Sequence, residues 1–196
     1  MNKLLAAFLF LIAPGLALAA NTSVYTKYDL DKCPKLDVGN TEEGDSGSWL
    51  CKGYGNLKIY FAEGDLRDMV AFGKSPKDHC AAHQTFSGFN SVNSTIEWRL
   101  NKGNAIAAIQ RWTVSYDPED SAKTKTWLVV TRIESGNSCH MAVVEGAFPN
   151  ANLKAREIAD SLAEKFECGV SSQIAITLPT TNKDQANIAD DNCEKY

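Results

Sequence analysis

The chain has 196 residues, 44% hydrophobic and 22% charged, an ordinary globular composition at a length that suits one domain with a small appendage. Lys and Arg number 20 against 24 Asp and Glu, a formal charge of -4. There is no basic field to gather phosphate, so neither nucleic acid nor an acidic lipid surface is expected as a partner.

Met1 to Ala19 reads as an export address. Lys3 precedes an apolar run from Leu4 to Ala13, a Pro14-Gly15 break follows, and Ala17 and Ala19 are small enough for a signal peptidase. A signal peptide over residues 1–19 is expected, with Ala20 opening the mature chain. An anchor helix would need about 20 apolar residues. The run is shorter and no second one follows, so no membrane span is expected after signal removal.

Residues 20–47 are polar and rich in Gly, Asp and Glu, which predicts a loop-rich arm. A single domain is expected over 48–179. Trp49 to Cys51 and Leu57 to Ala62 form short strand-like runs around the turn composition Lys52-Gly53-Tyr54-Gly55-Asn56. A second turn at Glu63-Gly64-Asp65 leads into Leu66 to Phe72. Pro76 suits a first helical turn, predicting a short helix over Pro76 to Phe86. Thr95 to Leu100 alternates Ile96, Trp98 and Leu100 with polar residues before the hairpin turn Asn101-Lys102-Gly103-Asn104. The return strand, Ala105 to Tyr116, has apolar residues on both parities, so both faces of its sheet should be covered. Lys125 to Glu134 and Ser138 to Glu145 form another hairpin around Ser135-Gly136-Asn137. Ala151 to Phe166 reads as a long helix with Asn150 or Asn152 as cap and an apolar stripe of Ala155, Ala159, Leu162 and Phe166. Gln173 to Leu178 suggests an edge strand, and 180–196 a polar tail. The fold class is therefore α+β: a mostly antiparallel sheet covered by one long C-terminal helix and stapled by disulfides.

Cys33, Cys51, Cys80, Cys139, Cys168 and Cys193 all follow the signal peptide. An even count in an exported chain, without any CxxC, points to three bridges rather than to thiol or zinc chemistry. Sequence proximity suggests Cys33 with Cys51, Cys168 with Cys193, and Cys80 with Cys139.

Ser48-Trp49-Leu50-Cys51-Lys52-Gly53-Tyr54-Gly55, Glu63-Gly64-Asp65-Leu66-Arg67, Ile96-Glu97-Trp98-Arg99-Leu100 and the segment from Cys139 to Cys168 resemble a group of uncharacterised periplasmic proteins of Gram-negative bacteria. The resemblance implies export and disulfides and no activity. Trp49-Leu50-Cys51-Lys52-Gly53 with Leu57 to Phe61 also looks like the strand and turn of small periplasmic lysozyme inhibitors, which are shorter β-barrels without the long helix.

No G-x-S-x-G, P-loop, G-x-G-x-x-G or H-E-x-x-H motif occurs, so no catalytic residue and no cofactor is expected. Glu97 and Arg99 share one strand face with Arg111 on the next strand, a candidate polar binding surface whose bland alternative is a structural ion-pair network. His79 and His83, at i and i+4 if helical, are candidate metal ligands, with His140 beside Cys139. Glu63, Asp65, Glu97 and Glu145 are strand carboxylates that a hydrolase could use. Trp49, Trp98, Trp112 and Trp127 could stack on a ligand, although alternation favours the core. The expected function is a non-enzymatic, exported binding protein whose partner is a protein or cell-envelope component. The alternatives are a periplasmic hydrolase and a histidine-based metal binder.

Overall fold

The computed structural model describes residues 20–38, 46–186, 188–189 and 193; the expected signal peptide lies outside the described residues. Among the described residues, twelve strands and one α-helix follow in order: β1 Thr22–Lys27, β2 Lys35–Val38, β3 Gly47–Lys52, β4 Lys58–Gly64, β5 Arg67–Gly73, β6 Thr85–Phe86, β7 Asn90–Asn101, β8 Asn104–Ser115, β9 Thr124–Glu134, β10 Asn137–Glu145, α1 Ala151–Leu162, β11 Ile174–Ile176 and β12 Ile188–Ala189.

Three layers result. A six-stranded sheet, β1-β7-β8-β9-β10-β11, forms the centre, antiparallel except where β11 joins β10 in parallel. One face carries Ala107, Ile109, Leu128, Val130 and Val144 against Ala155, Ile158 and Ala159 of α1. The other carries Ile96, Trp98, Trp112, Trp127 and Val129 against Ile59, Phe61, Val70 and Phe72 of a four-stranded antiparallel sheet, β2-β3-β4-β5. Apolar residues on both parities of β8 thus meet a helix on one side and a sheet on the other. Trp98, Trp112 and Trp127 are core residues, Trp98 edge-on to Phe72 at 5.4 Å and Trp112 to Phe86 at 5.6 Å.

The helix is short, 12 residues rather than the 16 expected from Ala151 to Phe166. Arg132 Nε donates to the Ala163 carbonyl at 2.7 Å, the acceptor a longer helix would have offered to residue 167. Glu167 N–H goes instead to Ser171 Oγ. The start carries no side-chain cap, with Asn150 in the left-handed region.

Residues 76–86 form two 3-10 turns, Pro76–Asp78 and Cys80–His83, followed by β6, in place of an α-helix. This segment lies along β10 before β11 begins. There Gln84 Oε1 accepts the edge strand's His140 N–H at 2.7 Å, and Asn137 Oδ1 of the strand accepts the segment's Cys80 N–H at 3.0 Å, so side chains tie the two together. The stretch expected as a loop-rich arm contains β1, which extends the central sheet beyond β7, and β2, which edges the smaller one.

Cys33 joins Cys51 as expected, but Cys139 joins Cys168 and Cys80 joins Cys193. The other two proximity pairings are therefore wrong. From Cys139, β10 climbs about 20 Å to Glu145, and α1 descends about 18 Å, which brings Cys168 back beside Cys139. Cys193 is then left for Cys80 in the edge-covering segment, and β12 pairs with β6 nearby.

Candidate functional site

The expected polar group sits between sheet and helix. Glu97 and Arg99 are buried. Arg99 grips Asp160 of α1 through Nε and Nη2 at 2.9 and 2.6 Å, and also bonds Ser23 Oγ and the Asn21 carbonyl. Glu97 accepts from Arg156 Nε at 2.6 Å and from Ser23 Oγ. Burial pushes the Glu97 carboxyl up, but the Arg156 and Ser23 hydrogen bonds outweigh it, and the group stays below its ordinary range. These residues clamp α1 to β7. Arg111 shares their face and reaches Asn152 at the start of α1 at 3.4 Å, beside a 190 Å³ cavity also lined by Tyr25 and Glu97.

The histidines are not brought into one cluster. His79 is buried, with Nδ1 3.1 Å from Ser138 Oγ, whereas His83 is exposed at the end of the second 3-10 turn. His140 is enclosed, its Nδ1 on Thr131 Oγ1 at 2.8 Å and its ring edge-on to Trp112; burial pushes its pKa down to about 3. Among the described residues no group of three His, Cys, Asp or Glu side chains is arranged to hold a metal ion. All six cysteines are in disulfides. The strand carboxylates have separate employments: Glu97 on α1, Asp65 on Arg67, and Glu145 on Thr181, the Leu178 N–H and Lys125.

A cleft of about 490 Å³ opens at the end of the central sheet where β8 stops and β9 begins. Phe86 and Val114 line it, both buried. Phe89 and Tyr116 stand on its rim at 42% and 40% exposure, and the hairpin tip beside it carries Leu66 at 61%. Arg67 connects tip and rim: its guanidinium lies 5.6 Å over the Phe89 ring, Nε donates to the Ser87 carbonyl at 3.1 Å, and Nη1 pairs with Asp65.

Each rim residue is locally fixed. A Cβ on Gly88 would fall 2.2 Å from the Ser115 carbonyl oxygen, so only glycine lets the strap of residues 87–89 lie on the end of β8, where Ser115 N–H bonds the Phe89 carbonyl at 2.8 Å. Lys123 bridges Asp117 at 2.6 Å, and Asp117 and Asp120 accept the backbone N–H groups of Glu119 and Ala122, closing the loop that follows Tyr116. The β4–β5 turn places both Asp65 (φ 52) and Leu66 (φ 58) in the left-handed region. For leucine that costs about 1 kcal/mol, and the turn is held by the Arg67 contacts and by the Asn90 N–H on the Leu66 carbonyl at 3.0 Å. An exposed apolar side chain is thus carried on an unfavourable backbone.

None of Leu66, Arg67, Phe89 and Tyr116 stands out as a site residue in the sequence. The available signal was an Asp-Leu pair at the centre of a two-residue hairpin, where Asp-Gly or Asn-Gly is the relaxed choice. Among the described residues no helix is long and apolar enough to cross a membrane. No family model matches the chain, and neither do the curated proteins or the solved structures compared with it.

Proposed function

We propose that the protein is an exported, non-enzymatic binding protein of the cell envelope that takes an apolar side chain of a polypeptide partner into the cleft of Phe89 and Tyr116. The observation that carries the reading is the convergence of Arg67, Phe89 and Tyr116 on one cleft floored by Phe86 and Val114, with Leu66 exposed on the adjoining hairpin tip. Aromatic residues and arginine around a pocket are the composition of binding hot spots. The volume lies within the roughly 300–1,000 Å³ of small recognition sites. Three disulfides agree with an oxidising compartment, as the expected signal peptide would require.

The rim also selects the partner's charge. The charged residues that line the cleft are Asp117, Asp184 and Arg67, two carboxylates against one guanidinium. The complementary ligand is an extended segment with an aromatic or aliphatic anchor followed by Lys or Arg.

Fluorescence anisotropy with labelled peptides bearing a central Trp or Leu, flanked by either lysines or glutamates, tests this. Lysine-flanked peptides should bind, more weakly at high salt, and Phe89→Ser or Tyr116→Ala should reduce the affinity at least tenfold, about 1.4 kcal/mol. Equal binding of the glutamate set, or affinity unchanged in both variants, would overturn the assignment.

A further inference from the structure

The opposite end of the central sheet carries a second and chemically different groove. It measures about 1050 Å³ and is formed by three turns, those of β3–β4, β7–β8 and β9–β10, together with the segment that leaves β5. Leu57, Ala105 and Ile133 give it apolar walls and Tyr54 an aromatic one. Tyr54 is also positioned by its hydroxyl, which lies 3.5 Å from the Gly103 carbonyl across the groove's turns. The polar lining comprises Asn56, Ser75, Asp78, Asn104, Glu134 and Ser135, with Lys74 as the cation.

His79 is the built element of this groove. Its ring occupies the space where a side chain on residue 73 would stand, since a Cβ on Gly73 would lie 2.4 Å from its Cε1. Ser138 Oγ accepts the Phe72 N–H at 3.3 Å and lies 3.1 Å from His79 Nδ1, which fixes the position of the ring. Burial holds the ring below its ordinary pKa, against the opposing pull of the Phe72 backbone and the charges of Asp78 and Glu134. It is therefore neutral near pH 7. The buried ring forms part of the groove lining.

We infer that this groove is a saccharide-binding site. A pyranose ring has one apolar C–H face and an edge of hydroxyl groups that both donate and accept. The groove offers the matching pair: Tyr54 and Leu57 for the face, and the amides of Asn56 and Asn104, the carboxylates of Asp78 and Glu134 and the His79 ring for the edge. The volume stands at the upper limit of single small-molecule sites, so the ligand class is an oligosaccharide rather than a monosaccharide. A polypeptide strand is the weaker fit, because the groove is bounded by turns whose tips offer no strand edge for backbone pairing.

Titrating the full disulfide-bonded protein with maltotriose, cellotriose and triacetylchitotriose, and with the lysine-flanked peptide as a fourth probe, tests the inference by amide and imidazole NMR. At least one trisaccharide should shift the amides of Gly55, Gly73, Gly103 and Gly136 and the His79 side-chain resonances in a saturable way. Asn104→Ala, at an exposed position, should weaken that binding about tenfold. Ser138→Ala should weaken it as well and shift the His79 ring signals, while its spectrum reports whether the fold is kept. Silence of the groove amides to all three trisaccharides, unchanged affinity in Asn104→Ala, or a response of these amides to the peptide alone would each overturn the assignment. Peptide binding at the cleft is read from different amides, so failure of one site is distinguishable from failure of the other.

Discussion

Asp68 and His140 are buried groups with opposite effects on acid stability, and one substitution separates them. Asp68 accepts the Val92 N–H at 2.8 Å through Oδ2 and has no ion pair among the described residues. Burial, opposed by the Val92 N–H and reinforced by the charge of Glu63, pushes its pKa from 3.8 to about 6. A folded pKa above the unfolded one means that the native state prefers the protonated carboxyl. That preference is fully expressed below about pH 4 and is lost as pH rises through 6. Above that the charge penalises the fold by up to about 3 kcal/mol. His140 runs the other way, pushed down from 6.5 to about 3. Its neutral form is the one the fold accepts, so stability is complete above pH 6.5 and falls by about 3 kcal/mol on the way to pH 4. Between pH 6 and 4 the two slopes nearly cancel.

Asp68→Asn keeps an acceptor for Val92 and removes the charge. Urea denaturation of both proteins from pH 4 to 8 should show the variant more stable by up to about 3 kcal/mol at pH 7.5 and equal to the parent near pH 4. The variant should also lose stability on acidification where the parent is nearly flat. A difference between the two that does not depend on pH, or a variant less stable at pH 7.5, would refute the account of Asp68 as an unpaired buried charge.

Leu66→Gly relieves about 1 kcal/mol of positive-φ strain but adds nearly as much unfolded-state entropy, so stability should stay level or rise by up to about 0.5 kcal/mol while peptide affinity falls; a thermal melt showing destabilisation of about 1 kcal/mol would mean that the turn is not strained. Arg99→Met strips donors from Asp160, Ser23 and the Asn21 carbonyl, and should cost about 2–4 kcal/mol with faster hydrogen exchange in α1 than in β8. Replacing Cys80 and Cys193 together by alanine opens a bridge of 113-residue separation and should cost about 4–5 kcal/mol in urea. A loss under 1 kcal/mol would show that β12 and the edge segment hold the C-terminal part unaided.

The hairpins were legible because alternation and turn chemistry agree there: Ile96, Trp98 and Leu100 point into one core, and Asn101-Lys102-Gly103-Asn104 reverses the chain. β1 was hidden by its polarity. Thr22, Ser23, Thr26 and Lys27 read as loop, and what makes them a strand is a tertiary register against β7, with Thr26 Oγ1 taking the buried Trp98 Nε1–H at 2.8 Å. Proximity misjudged two disulfides because it does not count a helix that reverses the chain between Cys139 and Cys168. The i, i+4 geometry proposed for His79 and His83 required an α-helix, which the two 3-10 turns replace. Glu97 and Arg99 lie where alternation puts them, yet a sequence does not say whether such a face meets water or Arg156 and Asp160. The cleft was the least legible part, since Phe89 and Tyr116 look like any core aromatics until the folded chain leaves them outside.

The two sites lie at opposite ends of one rigid element. β8 begins at the groove with Asn104 and Ala105 and ends at the cleft with Val114 and Ser115, and ten residues of strand separate them by about 33 Å. β8 is largely buried, pairs with β9 from Ala107 to Ser115 and pairs with β7 except at two register shifts, a stiff connection between the two ends. A polypeptide in the cleft and a saccharide in the groove would therefore bind together and independently, the domain acting as a spacer between them. The peptide affinity measured with and without saturating trisaccharide should agree within about twofold, less than 0.5 kcal/mol of coupling. Competition would place both ligands in one site, and a larger coupling of either sign would require a two-state element between them.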